Sequence, residues 1–370
     1  MKTQNQSIST IWMATLAIII VGLVVLYSAA YQNVRVPHSI FYEQLVFTGL
    51  GILVLLFFSY FNYQKLYDFA YVLYGVSVIL LFLVLISGRH ILGARRWIEF
   101  GAFNFQPSEL AKLAVILSLA RYFSQRKFKH SFRAYGLWQN MYREMIFPFL
   151  LTAVPMVLVL KQPDLGSSLL LLGIFAVMVF MSGLRYRYVA LFFGTCAVVA
   201  PFMWHFLKPY QKERLLVFLN PNIDPLGAGY TIIQSKIAVG SGRIFGKGWL
   251  AGTQNQLSFL PERHTDFIFS VVGEEWGLIG TLFLAGCFFV LIHSALNIAQ
   301  QTKDTFGFLL AMGIVAIFSL QVIINIGMVI GLCPVVGITL PFVSYGRSSF
   351  LVSVAMVGIL LNLARRRAIF

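Results

Sequence analysis

The sequence predicts an all-α polytopic membrane protein of about ten transmembrane helices, with a long extracytoplasmic loop between the seventh and the eighth. Three observations carry that expectation. Apolar residues make up 59% of the 370-residue chain and charged residues 11%, against roughly 45–50% and about 25% in soluble globular domains. The apolar residues come in blocks close to the roughly 20 residues a helix needs to cross a bilayer. The basic residues behind the net charge of +15 fall between those blocks and not on one polar face. That distribution argues against a nucleic-acid partner and for membrane topology with anionic lipid contacts.

The candidate spans are 11–30, 44–60, 69–87, 109–123, 144–160, 165–183, 187–207, 267–298, 307–331 and 342–363. Each should be a helix, because backbone groups in hydrocarbon must satisfy one another. The first span has a polar start and no convincing cleavage site, so it reads as retained and not as a removable signal. The fourth is short and polar at its start. The fifth and sixth are parted only by Lys161-Gln162-Pro163-Asp164, and the eighth is long enough to tilt or to outrun the bilayer.

An even number of spans puts both ends on one side. Placing them in the cytoplasm puts Lys2, Lys65, the cluster from Arg121 to Arg143, Arg185, Arg187, Lys303 and Arg365 to Arg367 inside. Only Arg35, Arg89, Arg95, Arg96, Lys161 and Arg347 then lie in short outer segments, as the positive-inside rule asks. The whole reads as one integral membrane domain: 1–207 with seven helices, a loop at 208–266, and three helices in 267–370. Cys196, Cys287 and Cys333 are scattered through apolar stretches, and small buried hydrophobes explain them better than disulfides or zinc.

The 208–266 loop is where chemistry is expected, since loops of this length are usually functional. Its middle, Thr231 to Ala238, has weak helical character and would suit an interfacial helix. Lys236 could meet a phosphate as a point charge or be an ordinary solvated lysine. The loop ends in Leu260-Pro261-Glu262-Arg263-His264-Thr265-Asp266, just where water gives way to an apolar run. Burial there would raise the Asp266 carboxyl pKa and neighbouring cations would lower it, a balance suited to a general base. The competing reading is a helix cap, supplied by Asp266 or equally by Thr265.

Other polar residues near the spans carry two readings each. Ser108 after Pro107 would cap the fourth span, and Glu109 and Lys112, three apart, form either a local ion pair or a cavity-lining pair. Asp164 either caps the sixth helix or binds substrate. Glu274 and Glu275 point about 100° apart on a helix, so at least one should face a polar interior or the cytoplasmic part of the bundle. No nucleotide-binding, serine-triad or metal-ligand spacing is present.

These residues are similar to those of the SEDS proteins (shape, elongation, division and sporulation). The matching stretches are Arg96-Trp97, Gln106-Pro107-Ser108-Glu109, Gln162-Pro163-Asp164-Leu165-Gly166, Asp224 to Tyr230, Gln234-Ser235-Lys236-Ile237-Ala238, Gly252-Thr253-Gln254, Phe259 to Phe269 and Pro341 to Gly346. They run through nearly the whole chain in the family's order and lean toward its rod-shape branch. The resemblance implies a ten-span peptidoglycan glycosyltransferase of the bacterial cytoplasmic membrane. Such an enzyme polymerises lipid II onto an undecaprenyl-linked glycan at the outer face. It works beside a class B penicillin-binding protein and other elongation-complex membrane proteins. Asp266 would be the catalytic carboxylate. Glu109, Lys112, Asp164, Gln234, Ser235, Lys236, Arg263, His264, Arg96 and Ser344 would serve substrate binding. A divalent cation is compatible with pyrophosphate chemistry, although no motif marks a metal site. The rival expectations are a lipid II flippase and a non-catalytic scaffold. One departure stands out: Tyr345-Gly346-Arg347-Ser348-Ser349 has Arg347 where the family usually has glycine, and Arg347 either binds pyrophosphate or snorkels to the surface.

Overall fold

Every expected span except the seventh is met by a helix in the structure, a computed structural model. It describes residues 2–31, 39–91, 94–100, 103–125, 145–183, 209–227 and 229–366, with isolated residues between 190 and 205. The helices are α1 (Lys2–Tyr31), α2 (Ser39–Tyr60), α3 (Tyr63–Ser87), α4 (Pro107–Ser124), α5 (Phe147–Lys161) and α6 (Leu165–Met181). After them come α7 (Pro209–Leu219), α8 (Tyr230–Ser241), the single turn α9 (Thr253–Gln256), α10 (Ile268–Gln301), α11 (Thr305–Ile330) and α12 (Arg347–Arg366). The seventh expected span and the basic residues Arg126 to Arg143, Arg185 and Arg187 fall outside the described residues.

Six helices, α1 to α3 and α10 to α12, are long and apolar enough to cross a bilayer, and α5 and α6 are shorter apolar helices. The chain is therefore an all-α polytopic membrane protein. Burial divides the spans into layers. The apolar window of α12 is 89% buried and that of α11 72%, against 22% for α2 and α3. Nearly every residue of α4 is buried as well. This explains its short, polar sequence: α4 faces protein on all sides, so hydropathy tuned to lipid does not find it easily.

Local chemistry sets the helix ends. Asn62 caps α3 by accepting from Gln64 N–H at 3.1 Å. Asp164 caps α6 through Ser167 N–H at 3.1 Å. Asp304 caps α11 through Gly307 N–H at 2.6 Å. Two expectations need correction. Gln106, not Ser108, occupies the cap position of α4. The last span begins at Arg347, because 341–346 is an irregular segment stitched to the loop before α10. A three-stranded antiparallel sheet that hydropathy gave no sign of joins α3 to α4: β1 (Arg89–Ile91), β2 (Ala94–Phe100) and β3 (Phe103–Phe105).

The 208–266 loop carries structure of its own. It does not simply pass over the surface. Beginning at α8 it folds back along α10. The Ser235 and Ser270 hydroxyls meet at 2.9 Å, and Ser235 donates to Val329 O at 2.7 Å. Farther down, Lys247 N–H donates to Glu274 O and Gly248 N–H to Glu275 O, both at 3.0 Å, while Leu278 N–H donates to Arg243 O at 2.9 Å. These partners lie on both sides of Gly277, Glu274 and Glu275 before it and Leu278 just after it. Gly277, at φ +64°, breaks α10 there, a conformation open chiefly to glycine. The freed backbone groups pair with 243–248, so irregular backbone inside the bundle stays satisfied by protein. The Trp249 indole donates to Val24 O at 3.4 Å. The segment folds back on itself as a hairpin against the part of α10 that precedes Gly277, and α8 packs on α10 and α11.

Candidate active site

The stretch before α10 is pinned by its main chain. Arg263 is buried, and its Nε donates to Ala29 O at the end of α1 at 3.2 Å. Ser344 Oγ accepts from Leu340 N–H at 2.8 Å and donates to Thr265 O at 2.6 Å. Tyr345 N–H donates to His264 O at 2.9 Å. From α11, the Asn325 amide donates to Asp266 O at 2.9 Å and to Ile338 O at 2.7 Å. Two distant segments, α11 and 340–345, thus hold the backbone of 264–266, and the Arg263 side chain ties the stretch to α1.

The Asp266 side chain is left out of this stitching. Phe267 holds the cap position of α10 and makes no side-chain cap bond. Thr265 Oγ1 turns to Glu262, so neither expected cap is formed. Among the described residues no hydrogen bond reaches the Asp266 carboxylate. It lies over Gly337, where a Cβ would sit 3.3 Å from Oδ2 at φ +73°. Burial pushes the Asp266 carboxyl up to about 7, with the charges of Glu262 and Asp164 adding to the rise and Arg214 and Arg96 opposing it.

Around Asp266 the structure gathers part of the expected set. Arg96, on β2, donates through Nε to Gln162 O at 3.2 Å and through its other arm to Pro163 O. That holds it beside the buried Asp164. Arg214, on α7, donates to Val335 O at 3.2 Å and was not singled out in the sequence. Glu109 and Lys112 form a buried ion pair at 2.7 Å. The pair opens onto a cavity of about 30 Å³ shared with Gln106, Ser167, Gln321 and Gly337, room for one water. Gly337 therefore borders both the cavity and the Asp266 carboxylate.

Other expected residues have different duties. Ser235 is buried with its hydroxyl committed to Ser270 and Val329. Ser344 positions Thr265 and Leu340, Gln234 is half-buried on α8, and Lys236 is exposed on the same helix. The His264 imidazole is pushed below its ordinary value by burial and by Arg263, with Glu262 opposing, which favours the neutral ring near pH 7. Arg347 pairs with Glu43 of α2 at 2.8 Å. The Tyr345 hydroxyl donates to the same carboxylate at 2.7 Å, and Arg347 Nε donates to that hydroxyl at 3.1 Å. Glu274 and Glu275 face the hairpin of 230–256 and not the far end of the bundle. Cys287 and Cys333 are free thiols, while Cys196 lies outside the described residues. No group of three His, Cys, Asp or Glu side chains converges as a metal site among the described residues.

A family model described as cell cycle protein, covering FtsW, RodA and SpoVE, matches residues 8–369. The chain belongs to the FtsW/RodA/SpoVE family. It is 40% identical over 361 residues to the peptidoglycan glycosyltransferase MrdB of Escherichia coli K12, covering 97% of this chain and 93% of that one. A chain from a peptidoglycan synthase complex that coordinates polymerization and crosslinking superposes with a TM-score of 0.81. It is 35% identical and the match covers 96% and 97% of the two chains. The rod shape determining protein RodA of Thermus thermophilus gives 0.70 at 31% identity, covering 96% of each chain. Membership of this family, whose solved neighbours are polytopic membrane proteins, agrees with the resemblance read from the motifs.

Proposed function

We propose that this chain is a peptidoglycan glycosyltransferase that polymerises lipid II into β-1,4-linked glycan strands for cell elongation and rod shape. The carrying observation is the Asp266 carboxylate: uncapped, raised to about 7, and lying in the field of Arg96 and Arg214. The 4-hydroxyl of an acceptor sugar attacks the anomeric carbon of a glycan held on a lipid pyrophosphate. Asp266 takes the hydroxyl proton as the new C–O bond forms on the opposite face. The old C–O bond breaks, and its electron pair leaves with the pyrophosphate. The anomeric configuration inverts. A base poised near neutrality serves this step well. The departing charge calls for cations, a role for which Arg96 and Arg214 are the candidates. Asp164 and the Glu109–Lys112 pair, reached past Gly337, would hold the polar parts of the sugars.

The basic residues Lys65, Arg121, Lys303, Arg365 and Arg366 all lie at the end of the bundle away from Asp266. This supports cytoplasmic termini and a site facing outward. The kinship with a chain of a synthase complex supports a class B penicillin-binding protein as partner. The test is a lipid II polymerisation assay with purified protein, with and without such a partner, on wild type and Asp266→Ala. Glycan polymer from wild type and none from the folded variant is expected. Undiminished polymer from Asp266→Ala would remove Asp266 as the base, whereas lipid II translocation without polymer would overturn the transferase.

A further inference from the structure

A second cavity, of about 230 Å³, lies at the end of the bundle opposite Asp266. It forms where the first turn of α3, the α10–α11 turn and the last turn of α12 meet, lined by Tyr63, Gln64, Gln301, Lys303, Asp304 and Arg366 among others. Its walls are fastened to one another. The Tyr63 hydroxyl donates to Asp304 Oδ1 at 3.0 Å, and Gly307 N–H donates to Oδ2, so both oxygens of the one acid already serve protein donors. The Asn362 amide donates to Ser59 O at 3.1 Å and to Phe61 O. Arg365 reaches Ser59 Oγ and stacks on Tyr60 at 4.2 Å. Those contacts hold Arg365 at the end of α2, and both Arg366 and Lys303 line the cavity.

We propose that this cavity binds the phosphate headgroup of an anionic phospholipid. Two cations and two side-chain amides present hydrogen-bond donors from three different helix ends, the arrangement a tetrahedral phosphate rewards. The lining also includes Leu363, whose apolar surface suits a glycerol backbone and not a bare ion. Three spanning helices end at this level, so the cavity lies at a membrane surface. Basic pockets between such helices are a recurring way of holding anionic lipids. The inference is independent of the glycosyltransferase reading.

Native mass spectrometry of the full-length protein in detergent, titrated with phosphatidylglycerol or phosphatidylcholine, tests it. Wild type should take up one phosphatidylglycerol about tenfold more tightly than phosphatidylcholine. Lys303→Gln/Arg366→Gln should abolish that preference. Gln64→Trp, which fills the cavity and leaves its charges, should lose the same single lipid. Gln64, Lys303 and Arg366 are not buried, so both variants should melt like wild type. Uptake unchanged in both would overturn the site. Complete displacement of the lipid by millimolar inorganic phosphate would assign the cavity to a soluble anion and overturn the lipid.

Discussion

Asp266 and Glu274, eight residues apart, meet opposite fates. Glu274 is buried and accepts from Lys247 Nζ at 2.8 Å, from Gln254 N–H at 2.9 Å, and from Thr253 and Asn255 N–H besides. Its charge is spent fastening the 230–256 hairpin to α10 and capping α9. Asp266 receives no such donors, although its own backbone is held by α11 and by the segment before α12. One carboxylate is satisfied by protein donors; the other is held by its backbone with its oxygens unpaired among the described residues, as the proposed base requires. Buried polar groups are nearly always paired, as Glu274 is, whereas Asp266 is only half-buried and keeps its carboxylate open to a ligand.

Removing each charge in turn should separate the two roles most sharply. Asp266→Asn should lower polymerisation by about 10²–10⁴-fold, the usual worth of a general base, with no loss of melting temperature. Glu274→Ala should do the reverse. It strands Lys247 and the α9 N–H groups and should cost about 3 kcal/mol of stability, read as a fall in melting temperature. Any polymerisation lost would then track the unfolded fraction. If Asp266→Asn melted far below wild type, the distinction between the two acids would collapse.

pH offers the next largest contrast. Asp266 rises from an ordinary carboxylate value to about 7 chiefly through burial. Its active, ionised fraction therefore falls about tenfold per pH unit below 7, and kcat/KM should show an acid limb there. The stability sign runs the other way. The folded state binds the proton more tightly than the unfolded one, so stability falls as pH rises from about 4 to about 7. Asp266→Asn should consequently melt higher than wild type at pH 8 and about equally at pH 4. An acid limb that stayed at pH 4–5 would mean that the carboxylate is solvated.

A smaller effect probes how the position is kept open. Gly337→Ala would place a Cβ 3.3 Å from Asp266 Oδ2 at a positive φ, displacing the carboxylate by a few tenths of an ångström at a backbone cost of about 1–2 kcal/mol. About tenfold lower kcat is expected, with the protein still folded, since catalytic geometry tolerates little displacement.

How much of this was legible follows from the range of the interactions involved. Hydropathy and caps are local, so the spans, the Asp164 cap and the Glu109–Lys112 pair could be read directly. The hairpin of 230–256 could not. Its glycines and turn residues look like a surface loop, and what draws it into the bundle is backbone pairing at the Gly277 break. Glu274 and Glu275 were the only sign that something polar must meet α10. Asp266 was visible as a carboxylate at a boundary, but choosing between cap and base needed Asn325 and Ser344, which lie 59 and 78 residues farther along the chain. Arg214 gave no signal, because α7 is short and has no strong pattern.

The smallest expected effect concerns Arg347, which departs from the family's usual glycine. It joins Glu43 of α2 and the Tyr345 hydroxyl in a partly exposed cluster. Tyr345 in turn holds His264 O, two residues from Asp266. The cluster thus resembles Asn325 and Ser344 in bracing the loop and differs from Arg96 and Arg214, which the Asp266 carboxylate itself feels. Exposed pairs are worth about 1 kcal/mol or less. Arg347→Gly should therefore lower stability by no more than that and kcat by about twofold to threefold, with KM for lipid II unchanged. Glu43→Gln should give the same small loss, and combining the two should add little, because either change breaks the same pair. If instead Arg347→Gly raised KM at least tenfold while Glu43→Gln did not, Arg347 would be contacting the substrate's pyrophosphate and would belong with Arg96.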